Sequence, residues 1–565
     1  MPIRRLRTPR KLNTLLHNPE ADGAQASRTT ANPQRASTST PQASGVEDTL
    51  PWETEIGFTL KDTRLTTEID TNEQSLRTAL SPASDIIFRK FRFFTSQQAL
   101  LVYVDGLSNT ELVDSHIIQP LITSSIRVQW DVAAKTDFIS LDEVAQTYTS
   151  VADVRKVHLF PDVISAILQG DIALYSQGEG AALVLSLRQR ADRPIEEPGT
   201  EAVIRGPREG FNENIRTSTS LLRRRLPTPD LKIENFTLGT YSKTPVALVY
   251  LNGVVNPPLV AEVRQRLQRI EIDAILESGY IEELIEDNPF SPFPQIQNTE
   301  RPDVAVSVLL EGRVVLLMEG SPFALMAPIN LWGALSAAED YYERYMITNF
   351  LRWLRFFFLF LALLLPSLYV AIVTFHQELL PTQLLYTLAA SQEVPPFPPV
   401  MEVLMMEVTF EALREAGLRL PKAIGSTISI VGALVIGEAA VQAGIVAAPI
   451  VVIVAVTGLA SYTIPRYNFA ISIRMLRFPL IILAGTLGIF GVFMGLLAII
   501  IHLSDLRSFG VPYLSPIAPF DRAALNGTLV RAPHWLILRR PLQNSKHNRT
   551  RAGEATRPKH RLPQR

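Results

Sequence analysis

The residues that decide the fold, Trp353–Phe375, read WLRFFFLFLALLLPSLYVAIVTF. A helix of about 23 residues is about 34 Å long, because each residue adds about 1.5 Å. This almost wholly apolar run therefore predicts a helix that spans a membrane. Pro366 predicts a kink in that helix. Arg352 and Arg355 at its entry indicate that the preceding part of the chain is cytoplasmic, because short basic flanks stay on that side.

Three further apolar stretches predict membrane spans, at residues 424–444, 445–464 and 478–502. The first two have almost no loop between them and predict a tight helical hairpin. The third carries Gly491 and Gly495 in a GxxxG pattern. Small residues at this spacing let helix backbones approach closely, so we expect both glycines to pack against another helix. Together with residues 353–375, these stretches predict four crossings.

The charge of the C-terminal end indicates on which side of the membrane the chain ends. The tail beyond Arg539 is basic, with Glu554 as its single acid, and we expect it to be cytoplasmic too. Both ends on one side require an even number of crossings, which four spans satisfy. This topology places Arg466, Arg474 and Arg477 on the outer side, where basic residues are unusual.

Composition excludes several classes of protein. The chain has 565 residues, with 54 Lys and Arg against 55 Asp and Glu, so it is not a basic protein built to coat nucleic acid. It has no cysteine, which excludes disulfides, thiol nucleophiles and Cys-ligated metal sites. Residues 1–50 are rich in Ser, Thr, Pro, Gln and Arg and predict a disordered tail, which we extend to residue 74.

The region before the membrane spans contains a repeat. Leu100–Leu107 reads LLVYVDGL and Ala247–Val254 reads ALVYLNGV, while GDIAL at Gly170 matches GRVVL at Gly312. The strands are apolar throughout, which predicts burial on both faces. The fold class is therefore α/β plus an all-α membrane domain, with disordered termini. We expect two similar tandem α/β units at 75–199 and 200–335, a polytopic helical domain at 336–505, and a C-terminal segment with a basic disordered tail at 506–565.

Motifs for catalysis are missing from the sequence. There is no GxxxxGK[ST] loop, no complete GxGxxG loop and no HExxH, so we predict neither an enzyme nor a cofactor or metal site. Asp105 and Asn252 end equivalent strands, where ligands often bind in open α/β sheets. Turn residues chosen for their backbone geometry are the favoured interpretation of both, so they are weak ligand candidates.

An acidic helix is predicted at residues 399–417, between the first and second spans. Glu407, Glu411 and Glu415 fall within an arc of about 80° on one face, and apolar residues cover the opposite face. In one interpretation the helix lies at the membrane interface with its acids in solvent. In the other, the helix is repeated around a symmetry axis, so that each glutamate becomes a ring of carboxylates along a cation path.

Glu438 and Gln442 stand four residues apart on one face of the second predicted span. A carboxylate inside a membrane costs about 2.5–3.5 kcal/mol on insertion scales, so it should face the interior of the helix bundle. Both residues are candidates for function. A structural hydrogen bond to a neighbouring helix is an equally good explanation.

Several separate motifs give the chain a family resemblance that extends from about Asp85 to Pro516. They are RGPREGF at Arg205–Phe211, SPFPQ at Ser291–Gln295, ERPD at Glu300–Asp303, EDYYER at Glu339–Arg344, GALVIGEAAVQAG at Gly432–Gly444 and FGVPYLSP at Phe509–Pro516. In these motifs and their order the chain resembles the A subunit of the GerA-type spore germination receptors of endospore-forming bacteria.

The resemblance implies a multi-pass protein of the spore inner membrane that works with a nutrient-binding, permease-like B subunit and a lipoprotein C subunit. It also implies an A-subunit homo-oligomer that acts as a nutrient-gated channel for monovalent cations. The soluble part would face the spore core. We expect contact with lipid and none with nucleic acid.

Two other functions stay open. The chain could be a secondary transporter with a cytoplasmic regulatory unit, although four spans without an inverted repeat are few for a carrier. It could also be a scaffold that only couples the permease-like partner to later steps of germination. A scaffold would release ions normally after Glu411→Ala.

Overall fold

The computed structural model describes residues 63–93, 97–128, 138–189, 197–201, 203–419, 435–521 and 529–540, with shorter pieces at 525, 527, 548–553 and 556. The expected disordered tail lies mostly outside these residues. Residues 63–74 are an exception, because they belong to the first α/β unit. Leu65 is buried, and helix α1 (Ile69–Leu80) packs Ile69 and Leu76 into the same core. The expected boundary at residue 75 is therefore too late.

The first α/β unit continues with five strands and three more helices. In chain order these are β1 (Ile86–Phe93), β2 (Gln97–Val104), α2 (Thr110–Val113, a π-helical turn at Asp114–Ile118, and Gln119–Val128), α3 (Leu141–Glu143, then a π-helical turn at Val144–Tyr148), β3 (Val154–Val157), α4 (Phe160–Leu168), β4 (Ile172–Ser176) and β5 (Ala182–Leu185).

The second unit repeats this arrangement. Its elements are α5 (Ile215–Arg225), β6 (Leu231–Leu238), β7 (Thr244–Leu251), α6 (Pro257–Gln268), α7 (Ser278–Ile285), β8 (Gln297–Thr299), α8 (Pro302–Leu310), β9 (Val314–Met318) and β10 (Ala324–Ala327), followed by the short α9 (Leu331–Ala334) and a 3-10 turn at Ala338–Tyr341.

The two sheets have the same topology. Their strand orders are β1-β2-β4-β5-β3 and β6-β7-β9-β10-β8, so the matched sequence segments occupy equivalent strands. All neighbouring strands are antiparallel. Strand β7 is buried on both faces, because Val246 and Leu248 pack towards α6 while Ala247 and Val249 pack towards α5 and α8. Coverage by helices on both sides explains the continuous apolar runs.

A buried ion pair joins the two units. The Arg223 guanidinium donates to both carboxylate oxygens of Asp85 across the junction, at 3.0 and 2.9 Å. Both side chains are almost wholly buried. Ala83 also forms a bridge with Ile233 of β6. Burial close to this pair lowers the pKa of Lys232 to about 8.

The remaining described helices form an apolar bundle. They are α10 (Tyr345–Phe375), a 3-10 turn at Gln377–Leu379, α11 (Thr382–Gln392), α12 (Pro399–Arg419), the helical residues 435–442 (α13), α14 (Ala448–Tyr462) and α15 (Tyr467–Asp505). Helix α10 contains the expected span 353–375, begins eight residues before it, and has 31 residues. Of the second expected span, residues 424–434 lie outside the described residues.

Helix α15 is not the single straight crossing expected at 478–502. It has 39 residues, and Gly488 interrupts it with φ 62° and ψ -146°. Gly491 and Gly495 are buried beyond this point, and a Cβ on them would meet Leu483 and Leu480 on the arm before it. The two arms therefore lie side by side. The ends of the two arms that are remote from Gly488 also lie close together. The Phe293 ring lies near the ring of Phe469 on the first arm and near the ring of His502 on the second.

The bundle has two ends, which we call the α/β end and the far end. At the α/β end, Ser472 donates to the carbonyl of Pro292, and Arg466 pairs with Glu201 of the second unit. At the far end, Gly488 packs against Phe375 and His376. The expectation that Arg466, Arg474 and Arg477 lie opposite the α/β units is wrong, because the chain returns at Gly488 and the first arm of α15 starts at the α/β end.

Parts of the C-terminal segment pack on the second unit. After a two-stranded ribbon, β11 (Arg507–Ser508) and β12 (Val511–Pro512), the chain reaches α8, where Arg540 donates to the carbonyl of Leu310 at 2.7 Å. Arg551 lies 3.9 Å from Glu311. Arg540 and Arg551, in the basic tail that was expected to be disordered, therefore have defined contacts, although residues 541–547, 554–555 and 557–565 lie outside the described residues.

Gly488→Ala should destabilise the bundle. Side chains rarely adopt the Gly488 backbone conformation, which costs about 1–3 kcal/mol. A Cβ would also lie 2.9 Å from His376 Nε2 and 3.0 Å from Phe375 Cβ. We expect a lower midpoint of thermal unfolding for the detergent-solubilised chain, while Thr486→Ala, at an exposed position two residues earlier, leaves the midpoint nearly unchanged. Equal midpoints for the two variants would contradict the fold-back at Gly488.

Candidate functional site

Helix α12 turns two of its acidic residues, Glu402 and Glu407, into the bundle. Glu402 and Glu407 are 1% and 2% exposed, whereas Met401 and Val408 are 53% and 57% exposed. In this part of α12 the acidic side chains therefore point into the bundle and apolar side chains point outward. This is the opposite of a helix with its acids in solvent. This arrangement suits a helix whose outer face meets lipid or another subunit, because water then no longer dictates which face is polar.

Glu407 pairs with Arg477 on the first arm of α15. Their side chains are 2% and 3% exposed. Arg477 Nε also donates to the carbonyl of Ala362 in α10 at 2.9 Å. One buried ion pair thus holds three helices of the bundle together.

Glu411 lies beside two arginines. Arg474 of α15 donates to its carboxylate at 2.9 Å, and Arg414 of α12 lies 3.6 Å away. The Arg414 guanidinium stacks on the rings of Phe410 and Tyr462, at 4.9 and 4.6 Å, and donates to Ser461 Oγ at 2.9 Å. Glu411 is half-buried, so this part of the network reaches the bundle surface.

Glu415 lies at the exposed end of α12. It pairs with Arg419 one turn later at 2.6 Å, and both side chains are more than half exposed. The three predicted glutamates therefore occupy a gradient from the buried centre of the bundle to its surface. Each of them has an arginine partner in this conformation.

The network leaves polar atoms unsatisfied. Among the described residues, Glu407 Oε1, Arg477 Nη2, Arg414 Nε and Arg474 Nε are buried without a hydrogen-bond partner. A buried polar atom without a partner costs about 1–3 kcal/mol. The network can therefore gain free energy by admitting water or an ion, or by rearranging.

Sequence reasoning missed several members of this network. Glu402 accepts the backbone N–H of Ala447 at 2.7 Å, immediately before α14 begins. Arg414, Arg474 and Arg477 supply the positive charge. The sequence did carry a signal for two of them, because Arg474 and Arg477 are out of place in a four-span topology. These two arginines, which the expected topology placed on the side where basic residues are unusual, pair with Glu411 and Glu407 of α12.

Glu438 and Gln442 lie together on an exposed face of α13. Gln442 Nε2 donates to Glu438 Oε1 at 3.0 Å, and both residues are exposed in the single chain. Val435 and Ile436 beside them are also exposed, at 55% and 39%. A carboxylate bonded to Gln442 thus lies beside exposed apolar side chains on this surface of the bundle.

The structure separates the two weak ligand candidates. Asp105 pairs with Arg216 of α5, so it lies at the junction between the α/β units. Asn252 is exposed, and its backbone N–H donates to the carbonyl of Asp230 at 2.8 Å. The backbone N–H of Asp105 makes the equivalent bond to Asp85, also at 2.8 Å. The repeat explains why both positions end a strand in the same way.

A second charged cluster couples the α/β end to the bundle. Asp340 is 3% exposed and binds Arg352 Nε at 2.9 Å and Arg355 Nη1 at 3.1 Å, both on α10. Nearby, Tyr342 donates to Asp303, which also binds Arg301 at 2.9 Å. Burial and the hydrogen bond to Asp303 raise the pKa of the Tyr342 hydroxyl. The motifs ERPD and EDYYER thus meet in one connected junction.

These features define a class of protein, in which paired α/β units are joined through buried ion pairs to an apolar helix bundle. Two of its described helices, α10 and α15, are long and apolar enough to cross a membrane. The chain belongs to the GerA family: the family model "Bacillus/Clostridium GerA spore germination protein" matches residues 74–543.

Relatives agree with this assignment. The chain is 46% identical to "Uncharacterized membrane protein YfkQ" of Bacillus subtilis, over 88% of this chain and 96% of the relative. It is 41% identical to "Spore germination protein KA" of Bacillus subtilis, over 84% and 86%. It is 39% identical to "Spore germination protein GerLA" of Bacillus cereus, over 83% and 94%.

A solved structure is also similar, with 32% sequence identity and a TM-score of 0.38. It is the crystal structure of the N-terminal domain of the A subunit of the Bacillus megaterium spore germinant receptor GerK3, and the match covers 47% of this chain and 96% of that one.

Proposed function

We propose that this chain is the A subunit of a nutrient germinant receptor, and that several copies form or gate a cation channel in the spore inner membrane. The observation that carries the channel is the exposed pair Glu438 and Gln442. In lipid, an exposed carboxylate costs about 2.5–3.5 kcal/mol, so this face needs a cover of protein or a water-filled path. Several copies of the chain arranged around an axis would cover this face with protein and enclose a water-filled path. The Glu438 carboxylates of the copies would line that path and attract cations.

Helix α12 supports the same proposal. Its exposed apolar face, which includes Met401 and Val408, is available for contact with another copy. Glu411 and Glu415 lie where this helix reaches the bundle surface. They would extend a cation path from Glu438 towards the α/β units.

Contacts between the helices suggest a multi-pass arrangement. The chain runs from the α/β end to the far end in α10, and returns in α12, because Val400 lies near Gly485 at the far end while Arg414 bonds Ser461 near the α/β end. Helix α14 and the two arms of α15 add three more passes. With one pass through 424–444, the bundle would have six crossings, an even number like the four expected.

Charge supports a cytoplasmic position for the α/β units. The far-end segment 376–398 contains Glu378 and Glu393 but no lysine or arginine. Arg352, Arg355 and Arg466 lie at the opposite end of the bundle. Short basic segments stay in the cytoplasm, so the α/β units would face the spore core. We further propose the permease-like B subunit and the lipoprotein C subunit as partners.

Glu438→Gln tests the channel. A ring of carboxylates raises the local cation concentration on the order of tenfold or more, so we expect potassium release from nutrient-treated spores to slow by about that factor. Spores would carry the variant as their only copy. Glu393→Gln, at an acid of the far-end segment, is the matched control and should release potassium normally.

A second variant, Glu411→Gln with Glu415→Gln, tests the path along α12 while keeping the buried Glu407 pair. Unchanged potassium release in both this variant and Glu438→Gln, at normal protein levels, would remove the pore assignment. A chain that only scaffolds the partner subunits would give that result.

A further inference from the structure

A groove of about 970 Å³ lies where the bundle begins. It is lined by the start of α10, by the loop at Arg205 and by the C-terminal segment around Trp535. Aromatic side chains stand beside basic ones here, because Tyr345 and Trp535 line the groove together with Arg344 and Arg531. This combination is typical of the boundary between a membrane and water.

The groove carries an excess of positive charge. Arg205, Arg344 and Arg531 line it, against the single acid Glu343. Arg205 and Arg344 are exposed. Arg531 is 4% exposed and donates to the carbonyl of Tyr341 at 3.0 Å, while its Nε has no hydrogen-bond partner among the described residues. Its Nη2 also lies 2.9 Å from His534 Nε2, and no carboxylate among the described residues pairs with this guanidinium. The uncompensated positive charge favours an anionic ligand.

The loop that carries Arg205 is built against the groove. Gly206 has φ 145°, and a Cβ at this position would lie 2.9 Å from the Tyr342 ring. The backbone can therefore lie against the ring only because this residue is glycine. This contact brings the loop backbone to the groove, which Arg205 lines as an exposed residue.

An apolar stripe on α10 leads from the groove towards the far end. Met346, Phe350, Trp353 and Phe357 follow one another at helical spacing and are 69%, 68%, 59% and 57% exposed. A ligand with its anionic group in the groove could lay hydrocarbon along this stripe. Free phosphate would use the arginines alone and leave the stripe uncovered.

We propose that the groove binds the phosphate headgroup of an anionic phospholipid, with the acyl chains along the α10 stripe. Arg205, Arg344 and Arg531 hold the phosphate. Tyr345 and Trp535 lie at the level of the headgroup, where aromatic side chains are favoured. The site rests on the proposed membrane insertion of α10 and is independent of whether a pore forms.

The test uses the full chain, purified in detergent and titrated with phosphatidylglycerol. We expect this lipid to raise the midpoint of thermal unfolding, whereas equal amounts of phosphatidylcholine or inorganic phosphate leave it unchanged. The double variant Arg205→Gln and Arg344→Gln should bind phosphatidylglycerol on the order of 30-fold more weakly, because each basic residue near an anionic surface contributes about fivefold in affinity.

Arg208→Gln is the matched control, since Arg208 lies in the same loop but pairs with Glu197 and is 68% exposed. It should keep the phosphatidylglycerol response. The proposal fails if phosphatidylcholine stabilises equally, if inorganic phosphate alone gives the same shift, or if the double variant responds like the wild type. A chain that is soluble without detergent would overturn both this site and the membrane insertion, whereas unchanged potassium release in the glutamate variants would remove only the channel.

Discussion

Asp340→Asn should destabilise the junction between the second α/β unit and the bundle by about 3–5 kcal/mol. This is the usual loss of stability when one partner of a buried ion pair is removed. The carboxylate of Asp340 neutralises two arginines at once, Arg352 and Arg355. Arg352 is itself 2% exposed. Asparagine has nearly the same shape, so the loss arises from charge rather than from packing.

The effect should be local, so hydrogen exchange of the backbone amides is the suitable measurement. A chain with several units need not unfold in one step, and a single midpoint would average over them. We expect faster exchange in the first turns of α10, around Thr348, whose hydroxyl donates to the backbone carbonyl of Asp340. Strands β6 and β7 should exchange at the wild-type rate.

Glu343→Gln is the control for this variant. Glu343 belongs to the same segment and forms no ion pair among the described residues. Wild-type exchange around Thr348 in Asp340→Asn would show that the two arginines find other partners. The junction would then not depend on the shared carboxylate.

Much of the fold could be predicted from local sequence. The repeat placed β2 and β7 in equivalent positions, since a continuous apolar run closed by an Asx-Gly turn is a short-range pattern. The long apolar run predicted α10 for the same reason. Strand direction was less accessible, because burial on both faces gives the same apolar run in parallel and antiparallel sheets that are covered by helices.

The fold-back at Gly488 could not be predicted from its own residues. Four glycines stand in the apolar stretch, and GxxxG at Gly491 and Gly495 is equally compatible with packing on another helix or on the preceding arm. Only contacts distant in sequence, such as those of Phe293 with both arms, distinguish these arrangements. The number of passes was therefore undetermined at this point of the chain.

The orientation of α12 shows the same limit for the site. Periodicity placed Glu407, Glu411 and Glu415 on one face, but a helical period does not say which face points inward. In water the acids would face out. In the bundle Arg477 and Arg474 of α15 hold Glu407 inside and Glu411 half-buried, because a buried acid is tolerated when a base is within hydrogen-bonding distance. Glu415, which pairs with Arg419 of its own helix, stays exposed.

Glu407→Gln and Arg477→Gln should each destabilise the bundle by about 3–5 kcal/mol, because either change leaves a charge buried without its partner. Both side chains are less than 4% exposed, so the remaining charge stays away from bulk water. Arg477→Gln also loses the bond to the carbonyl of Ala362 and should be the more costly of the two.

The double variant decides whether the pair itself is responsible. With both charges removed no unpaired ion stays buried, so the double variant should lose less stability than the sum of the two single losses, by a coupling energy of about 2–3 kcal/mol. The measurement is thermal unfolding of the detergent-solubilised chain. Glu415→Gln and Arg419→Gln, an exposed pair on the same helix, should give a coupling below about 0.5 kcal/mol. Two single losses that simply add would show that Glu407 and Arg477 do not stabilise each other, and α12 would then be held to α15 by its apolar contacts alone.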